Sequence, residues 1–175
     1  MYEERRIIET ERLILRPLSE TDAEDIYAIG SDEQTAYWAG MLRYDNLYDA
    51  KCEIWCLDGY GITVKGEDRV IGLVGVNRNA DRSNDWTTEL GYFLSKDHRG
   101  HGYMPEAVSA ICNEMFDAEG AERVMLEIRQ DNIPSREVAR KCGFTQNENQ
   151  THWRLNLYGK PLDEFILERG NRKCA

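Results

Sequence analysis

The chain has 175 residues, of which 41% are hydrophobic and 31% charged, a composition that predicts one globular domain over residues 1–175. Its net charge of −10 argues against a nucleic-acid partner, which would require a basic surface, and is compatible with attraction of a cationic one. No apolar run approaches the roughly 20 residues of a membrane span, and the charged N-terminus lacks the apolar stretch of a signal peptide, so we expect a cytoplasmic protein with no membrane partner.

The first third of the chain predicts one strand and two helices, with an irregular aromatic segment between the helices. In chain order these are a strand at Arg12–Pro17, a helix that begins at Ser19–Asp22, a loop at Tyr37–Tyr44 and a helix at Leu47–Leu57. The last helix carries Cys52 and Cys56, two of five cysteines. An odd number without paired CxxC spacing indicates free thiols. We expect these two to pack in the core, because no further ligand stands at metal-site spacing.

The rest of the chain predicts strands that alternate with helices. In order these are a hairpin of Tyr60–Val64 and Val70–Val76, a polar turn at 79–85, a strand at Thr87–Leu94, a helix at Pro105–Ala118, a strand at Val124–Ile128, a helix at Asn132–Cys142, and strands at His152–Leu157 and Phe165–Arg169. The pattern indicates an α+β or α/β domain with a mixed sheet and about four helices.

The most informative segment is the sequence RGHGYM, at residues 99–104. It lies between the strand that ends at Leu94 and the helix that follows. Gly100 and Gly102 open that helix, so bare backbone N–H groups stand at the positive end of its dipole. Such a position binds anions, phosphate above all. Pro105 fits the first turn, because the N–H that it lacks has no partner there.

Several readings compete for this loop, including a purely structural helix entry. A P-loop would end in Gly-Lys-Ser/Thr, which the sequence lacks. A dinucleotide fold would need GxGxxG near an early strand, with an acidic residue roughly twenty positions further on, and GHGYMP does not continue that way. The remaining pattern, Arg/Gln-x-x-Gly-x-Gly/Ala, is the acetyl-CoA loop of the GNAT N-acetyltransferases.

The sequence resembles that family over nearly its whole length. Arg99 and Gly102 match the loop, whereas Met104 stands where glycine or alanine is usual. A larger side chain there is tolerated if it points into the helix packing and leaves the N–H free. The resemblance implies an α+β (three-layer α/β) fold, with a mixed, mostly antiparallel central sheet of about six or seven strands and about four flanking helices.

A downstream segment strengthens the resemblance. Asn132–Ser135, Ala139 and Cys142–Phe144 are similar to the family's second helix, which begins at an asparagine and ends at Gly-Phe. Together with ETERLILRPL at 9–18 and ELGYFL at 89–94, they resemble the RimJ/RimL-like branch, which acetylates protein N-termini and related amines.

The resemblance implies acetyl-CoA as cosubstrate and no metal. Main-chain N–H groups of the loop are expected to hold its diphosphate; the loop residues are Arg99, Gly100, His101, Gly102, Tyr103 and Met104. The strand end at Phe93 and Leu94 is expected to separate from Val124–Ile128. Its freed backbone would then pair with the pantetheine amides and stabilise the oxyanion. The alternative is an ordinary paired strand.

The positions of two side chains of the loop can also be predicted. The Arg99 side chain either adds positive charge beside the phosphates or is simply solvated. His101, flanked by glycines, is expected to be exposed and not catalytic.

The resemblance also implies roles on the second helix. Asn132 either contacts the cofactor or only caps the helix. The tyrosine that many relatives use to protonate the departing thiolate is absent, because Ala139 stands there. In the RimJ/RimL-like branch a serine at the position of Ser135 is thought to serve instead, and this residue is the candidate acid, against a plain helix-start role.

An amine nucleophile must lose a proton before it attacks. Glu89 is the candidate base, directly or through water, and alternation places it on the side of Gly91 and Phe93; a structural ion pair is the alternative. Three aromatic residues are expected either to border the acceptor pocket or to pack in the core, namely Tyr37, Trp38 and Tyr44.

The predicted reaction is acetyl transfer from acetyl-CoA to a primary amine, either a protein N-terminus or a small cationic molecule, by direct attack in a ternary complex. A non-catalytic acyl-CoA binding or sensing module and a structural protein with a vestigial loop are the alternatives. A homodimer is one option for the assembly, since relatives commonly dimerise.

Overall fold

The computed structural model describes residues 5–78, 87–148 and 154–171. The strands are β1 Ile8–Glu9, β2 Leu13–Arg16, β3 Gly59–Val64, β4 Val70–Arg78, β5 Thr87–Leu94, β6 Arg123–Arg129, β7 Thr145–Gln146, β8 Arg154–Leu155 and β9 Pro161–Glu168. The α-helices are α1 Ala23–Gly30, α2 Glu33–Ala39, α3 Leu47–Cys56, α4 Tyr103–Asp117 and α5 Ile133–Cys142. None of the helices in these ranges is long and apolar enough to cross a membrane.

The nine strands form one sheet in the order β1-β2-β3-β4-β5-β6-β9-β7, with β8 also paired to β9. Every neighbouring pair is antiparallel except β5 and β6, which are parallel. The predicted mixed, mostly antiparallel sheet is therefore confirmed. The strand count exceeds the prediction because two-residue strands such as β1 and β7 are too short to show alternation. The predicted polar turn at 79–85 and the start of the His152–Leu157 strand lie outside the described residues.

The sheet carries helices on both faces. On one face, α4 buries the predicted apolar stripe against the strands, and the buried stripe residues are Met104, Val108, Ile111 and Met115. On the other face, α1 and α3 pack around a smaller cluster that includes Ile26, Tyr44 and Phe93. Tyr44 is thus a core residue, so core packing, one of its two predicted roles, is the role that this aromatic residue has.

The segment predicted as a loop at Tyr37–Tyr44 begins instead as the last turn of α2, so that prediction is wrong for its first three residues. The helix starts where the Asp32 carboxylate accepts a hydrogen bond from the Thr35 N–H at 2.8 Å. It ends at Gly40, whose φ of +71° is a conformation that glycine adopts without strain. Helix α2 has only seven residues, too few for an apolar period to show in the sequence.

The prediction of core packing for both cysteines of α3 is also wrong. Cys56 is exposed and Cys52 is half-buried. Helix α3 instead turns Ala50 inward, with Ile54 and Leu57 against the smaller cluster. The four-residue spacing correctly places the two thiols near one side of the helix, but it does not say which side faces the sheet.

A buried carboxylate fixes the entry to α1. Asp22 is 5% exposed and accepts hydrogen bonds from Arg16 at 2.7 and 2.9 Å and from the Ser19 N–H at 2.7 Å. Burial alone would raise the pKa of Asp22, but the hydrogen bonds from Arg16 and Ser19 outweigh it and hold the pKa below its ordinary value.

We expect Asp22→Asn to lower the free energy of unfolding by about 1–3 kcal/mol at neutral pH, because Arg16 loses its charged partner. Because the folded-state pKa is lowered, the stabilisation is present above the ordinary carboxylate pKa and is lost as pH falls through the folded value. Urea unfolding at several pH values measures both effects. Asp45→Asn is the control, since its ion pair with Arg43 is exposed and contributes little. Equal losses in the two variants would contradict the prediction.

Candidate active site

The central sheet opens between β5 and β6. Their parallel ladder consists of three pairs and stops at Glu89 and Met125. Beyond that point β5 stays paired to β4 as far as Leu94, while β6 stays paired to β9 as far as Arg129. The strands therefore diverge, and we call the gap between Leu90–Leu94 and Leu126–Arg129 the wedge. The predicted separation of the two strands is present, and the alternative of an ordinary paired strand is wrong.

The glycine loop lies at the end of β5, beside the wedge. Gly100 and Gly102 have φ values of +81° and +80°. A residue with a Cβ adopts such a backbone conformation only with strain. Gly102 is the residue before α4 and has no side chain to cap it. Backbone N–H groups at such a helix start are donors that an anion can satisfy. His101 is exposed, as predicted.

Met104 lies in the first turn of α4 and is 6% exposed within the main core. Its side chain points into the helix packing, which is the condition under which the sequence analysis expected a methionine to be tolerated at this position. The departure from the family pattern at this position therefore adds no side chain to the surface where a phosphate would bind.

Sequence reasoning missed how the loop is held. Arg12 donates a hydrogen bond to the His101 carbonyl at 2.8 Å and another to the Glu106 carboxylate at 2.7 Å. Thr10 also bonds Glu106. Burial would raise the pKa of Glu106, but the bonds from Thr10 and Arg12 outweigh it and lower the pKa. The ETER segment, residues 9–12, thus ties the N-terminal strands to the loop and to the first turn of α4.

The Arg99 side chain is not simply solvated, so that alternative is wrong, and its positive charge beside the phosphates stays a prediction. It turns back to the sheet, where Nε donates to the Leu94 carbonyl at 3.1 Å and Nη2 donates to Thr35 Oγ1 at 2.7 Å. Both bonds fix the loop to the end of β5 and to α2. The side chain thus ties the loop to the rest of the structure through two of its donor atoms.

Two predicted residues, Asn132 and Ser135, meet at the start of α5. The Asn132 side chain accepts a hydrogen bond from the Ser135 N–H at 3.2 Å and donates one to the Trp38 carbonyl at 3.3 Å. Asn132 therefore caps α5, which is one of its two predicted roles, and it also binds α2. The Ser135 hydroxyl lies 2.8 Å from the hydroxyl of Tyr92, on β5. This pair crosses the wedge, and the sequence analysis did not single out Tyr92.

Glu89 stands at the last pair of the β5–β6 ladder. Alternation along β5 places it on the face of Phe93, which packs in the smaller cluster, and opposite Tyr92, which packs against the main core. On the Glu89 face, a Cβ added at Gly91 would meet none of the described atoms within 4 Å. The candidate base and the candidate acid therefore approach the wedge from opposite faces, with open space beside the former.

Helix α2 contacts both sides of the wedge. Thr35 binds Arg99 on the β5 side, and on the β6 side the Arg129 guanidinium donates to the Tyr37 hydroxyl at 2.8 Å. The Arg129 side chain is 2% exposed and pairs with Asp131. Its guanidinium carbon also lies 4.1 Å from the centroid of the Tyr37 ring and 4.7 Å from that of the Trp38 ring. Tyr37 and Trp38 therefore stand over the end of β6, where they are half-buried.

Within the described ranges, no group of three or more His, Cys, Asp or Glu side chains is arranged to hold a metal ion. The site instead offers backbone donors for an anion, a slot between two strands for an extended ligand, and a pair of hydroxyls and one carboxylate at its edges. These parts suit the binding of a long phosphorylated carrier and the movement of protons at its end.

A mixed sheet that opens beside a glycine loop at a helix start is the arrangement that the resemblance in the sequence implied. A family profile described as an acetyltransferase (GNAT) domain matches residues 12–145. The chain therefore belongs to the GNAT acetyltransferases, and the resemblance inferred from the sequence is confirmed.

Individual relatives agree with this assignment. The chain is 27% identical over 169 residues to the uncharacterized N-acetyltransferase YoaA of Bacillus subtilis, covering 91% of this chain and 94% of that one. It is 30% identical over 105 residues to the ribosomal-protein-serine acetyltransferase of Escherichia coli, covering 55% and 58%. Among solved structures, a GNAT-family acetyltransferase from Bacillus anthracis has a TM-score of 0.79 at 18% identity, covering 94% and 99%. Mycobacterium smegmatis RimJ in complex with CoA-disulfide has a TM-score of 0.72 at 18% identity, covering 89% and 81%.

Proposed function

We propose that this acetyltransferase moves an acetyl group from acetyl-CoA to a primary amine by direct attack in a ternary complex. The observation that carries the proposal is the placement of the wedge. The β5–β6 ladder stops at Glu89 and Met125, and the glycine loop with its helix start stands at the far end of the same strand. A carrier with a diphosphate at one end and a thioester at the other fits that order.

In this proposal the carrier lies along β5. Backbone N–H groups from Gly100 to Met104 bind the diphosphate, and the backbone near Phe93 and Leu94 pairs with the pantetheine amides as an added strand would. An N–H of the same strand faces the thioester oxygen and stabilises the negative charge that develops on it. Asn132 orients the start of α5 through its bonds to Ser135 and Trp38.

Two proton movements accompany the transfer. The acceptor is mostly protonated at neutral pH, so Glu89, directly or through water, takes the first proton. The free amine then forms the new C–N bond, and the second proton, on the nitrogen of the tetrahedral intermediate, is relayed through the Ser135 hydroxyl to sulfur as the C–S bond breaks. Ser135 thus gives one proton and receives one, and Glu89 returns the first proton to solvent. The products are the N-acetylated amine and CoA.

We further propose that the acceptor is a protein N-terminus or a small cationic amine. The net charge of −10 supports attraction of a cation. The likeness to the ribosomal-protein-serine acetyltransferase of E. coli supports a place in the RimJ/RimL-like branch and a peptide acceptor.

Two measurements in sequence test the proposal. Calorimetry with CoA and with acetyl-CoA is expected to show binding by the full chain. Chromatography of the CoA released is then expected to show turnover on at least one amine from a panel of peptides that begin with serine or alanine, together with spermidine. Binding without turnover on any of them would favour an acyl-CoA sensor, and no binding at all would overturn the proposal.

The open space at Gly91 gives a separate test of where the acceptor enters. We expect Gly91→Val to reduce kcat/KM for the acceptor about tenfold, the effect of roughly 1.4 kcal/mol on the barrier, because the added methyl groups fill space beside Glu89. Gly91→Ala fills less of this space, so its kcat/KM for the acceptor is expected to lie between those of the unaltered chain and Gly91→Val. Thermal unfolding should not shift downward, since glycine is a weak residue within a strand. An unchanged rate in the valine variant would place the acceptor elsewhere.

A further inference from the structure

The hydroxyl pair that crosses the wedge includes the Tyr92 hydroxyl, which takes no part in the proton movements proposed above. Tyr92 Oη and Ser135 Oγ lie 2.8 Å apart, although 43 residues separate them in the chain. Tyr92 belongs to β5, on the main-core face, and Ser135 belongs to the first turn of α5. Their contact is a side-chain bond between β5 and the helix that follows β6, beyond the point where the β5–β6 backbone ladder has stopped.

Either hydroxyl can donate at this distance. The proposed relay needs the Ser135 hydrogen to point at sulfur, which leaves Tyr92 as the donor between the two. Tyr92 is partly buried against the main core. Burial raises the pKa of its phenol well above the ordinary value, against a smaller lowering by Ser135, so the phenol keeps its proton. A buried O–H requires an acceptor, and among the described residues the contact found for the Tyr92 hydroxyl is Ser135 Oγ. In the arrangement that the proposed relay needs, Tyr92 donates the hydrogen bond and Ser135 accepts it.

This direction has a consequence for Ser135. A hydroxyl has one hydrogen and two lone pairs, so a serine that accepts from Tyr92 keeps its own hydrogen for another partner. We propose that Tyr92 is a positioning residue for the transfer, which fixes the Ser135 oxygen and directs the Ser135 hydrogen toward the departing sulfur. This inference rests on the proposed function, in which Ser135 relays the proton.

The bond from Tyr92 also assists the relay itself. As Ser135 gives its hydrogen to sulfur, negative charge grows on Oγ until the proton from the amine nitrogen arrives. A hydrogen bond to a group that carries charge is stronger than one between neutral groups, so the donation from Tyr92 strengthens in the transition state. Tyr92 keeps its proton throughout, so no charged phenolate forms against the core.

Kinetics of Tyr92→Phe test the role. The variant removes one oxygen and keeps the ring, so we expect kcat to fall about three- to tenfold, the value of one modest hydrogen bond. The KM for acetyl-CoA and its calorimetric affinity should stay unchanged, because the main-chain donors are untouched. Tyr27→Phe is the matched control, since it removes a hydroxyl from a partly buried ring of α1 against the smaller cluster, and its kcat should not change.

A double-mutant cycle separates action through Ser135 from a general loss of packing. If Tyr92 acts through Ser135, adding Tyr92→Phe to Ser135→Ala will cause no further loss. Multiplicative losses, or an unchanged kcat in Tyr92→Phe, would overturn the inference. The proposed function has a different signature of failure, because the unaltered chain would then acetylate no amine of the panel.

Discussion

Replacing Gly102 with valine is expected to weaken CoA binding on the order of a hundredfold, the loss of one or two charge-assisted hydrogen bonds. Gly102 has a φ of +80°, a conformation in which a β-branched residue is strained. Relief of that strain would turn the N–H groups of the loop away from the diphosphate. In the present conformation a Cβ there would also lie 3.4 Å from the Arg12 guanidinium that holds the loop.

The chain provides a matched control for this variant. Gly66, in the turn between β3 and β4, has a φ of +86° and open space around its missing Cβ. Gly66→Val therefore carries the same kind of backbone strain far from the wedge. Both variants should lose a similar 1–2 kcal/mol or so of stability in thermal unfolding, and only Gly102→Val should lose CoA affinity in calorimetry. Equal affinities in the two variants would remove the loop from the binding site.

The glycine loop was predictable from the sequence because its information is local. Glycines at 100 and 102 and an apolar stripe from Met104 to Met115 lie within one short segment, residues 100–115. Each acts through backbone conformation or helical period. The downstream helix was predictable for the same reason, since Asn132 caps it and Gly143 ends it with a φ of +87°.

The rest of the site depends on contacts between distant segments, which no local pattern encodes. The Tyr92–Ser135 pair, the Arg12 bond to the loop and the bonds of α2 to Arg99 and Arg129 join residues between 43 and 92 positions apart. The sequence held a signal for α2, namely Asp32 before it and Gly40 after it, which are typical helix ends. The aromatic residues Tyr37 and Trp38 favoured a loop instead, because the helix is too short to show a period.

Helix α2 also explains why Arg99 was difficult to predict. An arginine before a phosphate loop suggests a positive charge beside the ligand, and no local pattern shows which protein oxygens the guanidinium also binds. Here Leu94 and Thr35 accept its hydrogen bonds, and Thr35 comes from a helix that the sequence analysis did not contain. Because α2 was not predicted, the contacts that fix the Arg99 side chain could not be predicted either.

Removal of the Ser135 hydroxyl is expected to reduce kcat by about a hundredfold, the lower end of the range for a general acid. Sulfur leaves as a thiolate unless a proton reaches it, and Ser135→Ala removes the group that delivers this proton in the proposed mechanism. The Ser135 N–H still bonds Asn132, so the start of α5 and the CoA affinity should change little. Stopped-flow release of CoA and calorimetry measure the two quantities.

Two further serine variants make the expectation specific. Ser109→Ala removes a hydroxyl from α4, where it bonds the Cys142 sulfur at 3.4 Å between α4 and α5, and it should leave kcat unchanged. Ser135→Thr keeps a hydroxyl at the same place and should retain a measurable part of the activity, because the relay needs an O–H within reach of the sulfur and of Tyr92. If Ser135→Ala turned over acetyl-CoA as fast as Ser109→Ala, water or another donor would protonate the thiolate, and both Ser135 and its partner Tyr92 would lose their proposed roles.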